Sequence, residues 1–319
     1  MEHRDLGDTG IRVSALGLGA GGASRLGLRN GGSTYAAVRV VRQAMELGMN
    51  YVDTAPAYGT EEAVGRALAE VPRDALVVST KVQHRREGGD LVAAEELTRS
   101  LDESLRRLGT DHVDVLFLHG VRLEEYEHCY EVLGPELAAQ RSAGKVRAIG
   151  VSESFANDPD HAMQHRALDD AIWDVALTGF NVLNPSARTL LRRAASGGVG
   201  IVVMHAVRYL LTSEERLRDG LHALATRSSD GVPPERLQQA IARMPADAAS
   251  RLLPAAAYRF TVDAPGFASV LIGTGDPAHL RQNVAEIDDI AHDPAATELL
   301  EALDGLLIGA AAGSGDRIG

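Results

Sequence analysis

Eight short β-prone apolar runs recur along the chain, and a longer amphipathic stretch follows nearly every one. The runs are residues 15–19 (ALGLG), 50–53 (NYVD), 76–80 (LVVST), 113–118 (VDVLFL), 146–151 (VRAIGV), 173–177 (WDVAL), 200–204 (GIVVM) and 268–272 (ASVLI). Helical patterns fill 34–47, 60–70, 91–108, 125–143, 160–171, 186–196, a broken 234–262, and 276–290. Within 91–108, Leu91, Leu97, Leu101, Leu105 and Leu108 share one face among charged neighbours, the signature of an amphipathic helix. Gly48, Gly109, Gly144 and Gly200 punctuate the boundaries. Strands that alternate with helices require a parallel sheet with right-handed crossovers. Eight such units with no Ser/Pro-rich linker between them fit a closed barrel better than an open sheet.

The expectation is therefore a single-domain (β/α)8 TIM barrel over residues 1–319. Residues 1–14, "MEHRDLGDTGIRVS", read as a β-hairpin turning at Asp8-Thr9-Gly10 and closing the barrel floor. The stretch 206–250, with Pro233, Pro234 and Pro245, exceeds an ordinary connection and reads as an elaborated loop after strand seven. Residues 308–319 read as a flexible tail. At 319 residues and 45% hydrophobic content there is ample material for such a core.

Charge and cysteine content narrow the function. A formal net charge of −12 argues against a nucleic-acid or anionic-membrane partner. One cysteine, Cys129, leaves no intramolecular disulfide and no cysteine-based zinc site. The charged start lacks an apolar signal core, and no window offers the ~20 apolar residues of a membrane span. A cytoplasmic enzyme or binding protein is expected, with a small molecule as its partner.

In a barrel of this kind chemistry gathers at the carboxyl ends of the strands. Strand two ends on Asp53, strand three on Ser79-Thr80-Lys81, strand four on His119 and strand five on Ser152, while Tyr58 follows strand two across a proline turn. A free phenol, with pKa near ~10, is a poor acid at neutral pH. A lysine close by favours the phenolate, and an aspartate holds that lysine charged and oriented. A histidine beside the phenol can orient a carbonyl oxygen. Such a set moves a proton to an oxygen gaining negative charge, but it supplies no electrons, so a bound nicotinamide is implied.

These segments resemble the aldo-keto reductases over nearly the whole chain. The matching runs are "RDLGDTGIRVSALGLGAGG", "ELGMNYVDTAPAYGTEEAVGRAL", "STKV", "SLDESLRRLGTDHVDVLFLHG" and "GKVRAIGVS", each on its own barrel unit and in the family's order. The resemblance implies that Asp53, Tyr58, Lys81 and His119 form the catalytic tetrad, with Tyr58 the general acid in reduction. It implies NADPH or NADH as cofactor and a small carbonyl or alcohol as substrate. Expected cofactor contacts are Ala20, Gly21, Asp53, Ser152, Phe180 as a stacking ring, His205 and Arg208 near the pyrophosphate, and Gly273, Thr274, Gly275, His279, Gln282 and Asn283 at the adenosine end. Four positions depart from the family pattern. Glu153 and Leu177 replace the family's carboxamide-binding Asn and Gln, and Gly273 and His279 stand where two cations usually grip a 2′-phosphate. The resemblance favours NADP slightly, while the missing clamp cations leave NAD or dual use open.

Other motifs read more plainly. Gly17 to Gly22 spell G-x-G-x-x-G, but a dinucleotide turn needs a helix at once, and the glycine-rich "ASRLGLRNGGS" follows, with Arg25 a candidate substrate contact. His161 and His165 lie four apart without an evident third ligand, so no metal site is expected. "GVSES" around Ser152 lacks the final glycine of a hydrolase elbow. Trp173 reads as core. Two alternatives to a reductase are carried forward: an NAD-linked dehydrogenase of sugars or hydroxy compounds, and a cofactor-binding regulatory subunit acting through a protein partner.

Overall fold

The computed structural model describes residues 1–226, 233–243, 249–290 and 293–308. The amino-terminal strands β1 (His3–Asp5) and β2 (Arg12–Ser14) pair antiparallel, with His3 opposite Ser14. Eight parallel strands then close into a barrel: β3 (Leu16–Gly19), β4 (Tyr51–Asp53), β5 (Val77–Val82), β6 (Val113–Val121), β7 (Val146–Glu153), β8 (Val175–Gly179), β9 (Gly200–Met204) and β10 (Ser269–Ile272), with β10 returning to β3. Each falls on one of the eight apolar runs.

The helices are α1 (Thr34–Glu46), α2 (Glu61–Leu68), α3 (Ala94–Leu108), α4 (Tyr126–His128), α5 (Gly134–Ser142), α6 (Ala162–Ala167), α7 (Arg188–Ser196), α8 (Glu214–Thr226), α9 (Pro234–Arg243), α10 (Ala249–Val262), α11 (Pro277–Asp289) and α12 (Pro294–Leu303). The expected helix 125–143 is interrupted by a π-helical turn at Cys129–Leu133. The stretch 206–250 differs from the expected loop in holding α8, while α9 and α10 fall on the expected broken helical pattern 234–262. Leu217, Leu221 and Leu224 on α8 and Leu237 and Ala240 on α9 bury themselves against Leu299 and Leu303 of α12, in a second hydrophobic cluster beside the barrel. Pro245 and residues 309–319 of the expected tail lie outside the described residues.

The hairpin does close the floor. Leu6, Ile11 and Val13 pack with Tyr51, Val77, Val115, Phe117 and Val202 inside the bottom of the barrel. Buried charges lock neighbouring units. The Asp114 carboxylate accepts from the Val78 amide at 2.8 Å, from Arg73 at 2.8 Å and from Arg147 at 2.6 Å. The fully buried Glu61 accepts from Thr80 Oγ1 at 2.7 Å and Arg107 Nε at 2.6 Å. Both carboxylates are satisfied, as burial demands, and both keep strand ends in register beneath the mouth.

Trp173 is core, its Nε1–H donating to the Tyr126 hydroxyl at 2.9 Å. Gly17–Gly19 lie within β3 and no helix starts there; the next α-helix, α1, begins at Thr34. Among the described residues no helix is long and apolar enough to cross a membrane.

Candidate active site

Strand ends place the four polar groups together. Asp53 closes β4, and Lys81 lies near the end of β5, where the pairing sets Asp53 level with Ser79. Side chains alternate along a strand, so Ser79 and Lys81 share the inner face with Asp53. The Lys81 Nζ donates to Asp53 Oδ1 at 2.5 Å and to the Thr54 carbonyl at 3.0 Å, and Ser79 Oγ donates to the same Oδ1 at 2.8 Å. Lys81 is 1% and Asp53 3% exposed, so this is an enclosed ion pair. Burial alone would pull the lysine down, but Asp53 and then Tyr58 outweigh it and hold the amine above its ordinary range.

Past Asp53 the chain turns through Pro56–Tyr58, a single 3-10 turn, which brings the Tyr58 ring centre to 5.1 Å from Lys81 Nζ. His119 meets that ring edge to face, 5.7 Å between centres and at 90°. The β6–β7 register slips between Leu118 and Val121, and Gly120 takes a left-handed φ of 66°. This irregularity re-aims the chain at His119, the common use of a bulge beside a site. Burial, then the neighbouring Lys81 and His84 charges, depress His119 to about 3, so the imidazole is neutral near pH 7.

Lys81 was expected to lower the Tyr58 phenol. It does act in that direction, but burial acts harder and Asp53 opposes it, leaving Tyr58 raised above the ordinary phenol value. The phenol is accordingly protonated at neutral pH and is a proton donor there.

Gly21, just past β3, lies under Tyr58: a Cβ there would sit 2.7 Å from Cε2 and 2.8 Å from Cζ of the ring. Gly21→Ala is therefore expected to push the phenol aside and lower kcat by about 10²-fold, the scale of a 1 Å misplacement, with the melting temperature little changed. A kcat within twofold of the parent would mean that Tyr58 does not work from this position. Arg25 and Leu26, two positions of left-handed backbone (φ 47° and 55°), follow in the first loop. Leu26 is buried, and Arg25 is close enough for its charge to act on Tyr58.

The remaining cofactor candidates divide. Ser152 is 2% exposed and its hydroxyl has no hydrogen-bond partner among the described residues. Glu153 is spoken for: Oε1 accepts from the Gly179 amide at 2.6 Å and Oε2 faces His161 Nδ1 at 2.8 Å, while His161 Nε2 meets Ser186 Oγ at 3.0 Å. Thus His161 spends both nitrogens inside the protein. Leu177 is buried in the floor cluster. Phe180 is fully buried, stacked on Phe260 at 5.5 Å within the main core, and offers no open face to a ligand. The aromatic ring above the end of β8 is Phe155, which occupies the space over Gly179. It stacks between His161 (5.5 Å) and His205 (5.9 Å), with the Arg208 guanidinium 5.1 Å from its centre. Sequence reasoning missed Phe155; its only signal was an aromatic residue just after Ser152-Glu153.

Ala20 is buried beside Gly21. Gly273 is open, a Cβ there meeting nothing nearer than 3.6 Å. Thr274 Oγ1 accepts from the Asp276 amide at 3.2 Å and lies 3.4 Å from His279 Nδ1. The Asp276 carboxylate caps α11 through the Ala278 amide at 2.8 Å, so the helix start already carries a negative charge. Gly275 packs on the Gly27 backbone, tying this segment to the first loop. Gln282 donates to Glu286 at 2.7 Å, Asn283 shares that helix, and the nearby Arg281 donates to Gln43 of α1.

The model of the Aldo/keto reductase family matches residues 15–303. Among curated relatives, an L-galactose dehydrogenase of Arabidopsis thaliana is 39% identical over 158 residues, about half of each chain (48%). A D-threo-aldose 1-dehydrogenase of Pseudomonas sp is 30% identical over 305 residues, 86% of this chain and 89% of that one. The holo form of an aldo-keto reductase from Bacillus halodurans superposes with a TM-score of 0.72 at 22% identity, over 96% of this chain and 97% of that one, a likeness of fold.

Proposed function

This chain belongs to the aldo/keto reductase family of oxidoreductases, and from that premise we propose that it interconverts a hydroxyl and a carbonyl on a small sugar-like substrate, with NAD(H) preferred over NADP(H). The observation that carries the reading is the enclosed Lys81–Asp53 pair beside the Tyr58 ring, with neutral His119 at that ring's face or edge. The bound nicotinamide supplies the hydride in reduction and accepts it in oxidation. Tyr58 gives its proton to the carbonyl oxygen as charge builds there, Lys81 favours the phenolate left behind, and Asp53 keeps Lys81 charged. His119 orients the oxygen. In oxidation Tyr58 takes the hydroxyl proton instead.

The residues at the mouth fit a nicotinamide in two respects: the Ser152 hydroxyl is unspent, and Gly273 leaves room for a close backbone approach. Glu153 takes no part, because His161 and the Gly179 amide occupy both its oxygens. Preference for NAD(H) rests on charge. No lysine or arginine stands at 273 or 279, Arg281 is engaged with Gln43, and the Asp276 carboxylate sits where a 2′-phosphate would seek a helix start. The sugar-like substrate is supported by the two relatives named as sugar dehydrogenases. Fluorescence titration with each reduced cofactor tests the preference. NADH is expected to bind roughly tenfold tighter or better, the scale of one lost charged hydrogen bond to the phosphate. Equal or tighter NADPH binding would overturn the NAD assignment and leave the oxidoreductase reading in place.

A further inference from the structure

The pairing of β5 with β6 sets Val82 level with Leu118. Gln83, just past β5, and His119 on β6 are therefore neighbours, and the Gln83 amide nitrogen lies 3.0 Å from His119 Nδ1. With the –NH2 end of the Gln83 amide turned to the ring, as here, the amide donates and Nδ1 accepts. A neutral imidazole carries one proton, and Nδ1 does not hold it. We propose that Gln83 fixes the tautomer of His119, placing its proton on Nε2, so that His119 serves the reaction as a hydrogen-bond donor to the substrate's reacting oxygen.

Among the described residues Nε2 has no partner, and it is the nitrogen left for a ligand. With the opposite tautomer two N–H dipoles would meet at Gln83, and a lone pair on Nε2 would face the oxygen lone pairs of a carbonyl. The charged and titratable groups around the ring support the same arrangement. Lys81 disfavours an imidazolium from the β5 side, the Tyr58 ring covers another side, and His84 adds no negative charge. The Glu125 carboxylate that could draw a second proton towards this region is engaged instead with His84 Nε2 at 2.8 Å and Arg85 at 2.8 Å. Gln83 touches neither substrate nor cofactor in this scheme. It is a positioning residue acting through His119, and its role rests on the Tyr58 reading above.

The test is long-range 1H–15N correlation spectroscopy of the imidazoles in labelled protein, with the His119 signals assigned by their loss in His119→Asn. The expected pattern is a proton on Nε2 and an unprotonated Nδ1 from about pH 5 to 8. Gln83→Leu should mix the two neutral tautomers and lower kcat about fivefold, the scale of one neutral hydrogen bond, with cofactor affinity unchanged. Gln83→Glu puts an acceptor at Nδ1, so His119 should take its proton there and titrate visibly near neutrality, giving kcat a pH dependence that the parent lacks. Gln83 is exposed, so both variants should fold, and melting curves verify it. A proton on Nδ1 in the parent overturns the proposal, as does an unchanged tautomer in Gln83→Leu. Because the spectra need no turnover, these failures are separate from a failure of the Tyr58 reading, which would show as an active Tyr58→Phe.

Discussion

Replacing Tyr58 with phenylalanine is expected to lower kcat by about 10²–10⁴-fold, the range of a lost general acid, while cofactor affinity stays within twofold. The substitution deletes one hydroxyl and keeps the ring, so the edge contact with His119 and the packing on Gly21 survive. What is lost is the phenol proton beside Lys81. Burial keeps the phenol above its ordinary value, and this sets the pH behaviour of the parent. On the proposed reading reduction needs the protonated phenol, so its rate should be flat through neutrality and fall only above about pH 10. Oxidation needs the phenolate and should climb with pH over the same interval. His119, held at about 3, contributes no limb in this range. Steady-state rates in both directions, with each reduced cofactor titrated separately, measure all of this. Turnover that survives in Tyr58→Phe would remove Tyr58 from the chemistry. A parent that binds cofactor but turns over no carbonyl or alcohol would instead favour a regulatory subunit.

The strands were legible because each is a short apolar run, several of them with a glycine boundary or a polar residue at the carboxyl end, as in Tyr51-Val52-Asp53 and Ser79-Thr80-Lys81. Nearest-neighbour order in the barrel then follows from the alternation with helices, and with it the meeting of Asp53, Lys81 and His119. Other features depend on distant packing. Leu217, Leu221 and Leu224 carried a helical period, but the surrounding prolines and the length of 206–250 argued for a loop. It is the apolar face of α12, far along the chain, that gives α8 and α9 something to cover. The fate of Glu153 was hidden for a similar reason. Its partner His161 reaches it from a left-handed backbone at φ 60°, a conformation that no local pattern announces. Gln83 was legible only through register: it reads as one more polar residue until β5 and β6 are paired.

Lys81→Met should be the most destabilising single change at the site, by about 3–5 kcal/mol, because it leaves a buried carboxylate without its cation. Among the described residues Ser79 Oγ would be the one donor still directed at Asp53 Oδ1, and the Thr54 carbonyl would lose the lysine proton. The pH profile carries a sign that checks the cause. The folded amine is raised above its unfolded value, so the lysine's contribution is fully present below about pH 10 and disappears only as the pH rises through the folded pKa. The stability difference between parent and variant should therefore be constant from about pH 7 to 9 and narrow in strong alkali. Adding Asp53→Asn removes the stranded charge while keeping an acceptor for Ser79. Urea unfolding of the double variant should recover roughly 2 kcal/mol or more of the loss at an unchanged m-value, the signature of two groups that act as a pair. Neither variant should regain turnover, because nothing then favours the Tyr58 phenolate. A pair that can be neutralised at little net cost to folding, yet not without loss of activity, is held for its chemistry. A single variant within about 1 kcal/mol of the parent, or a double variant that turns over, would make Lys81 and Asp53 an ordinary strand-end bridge.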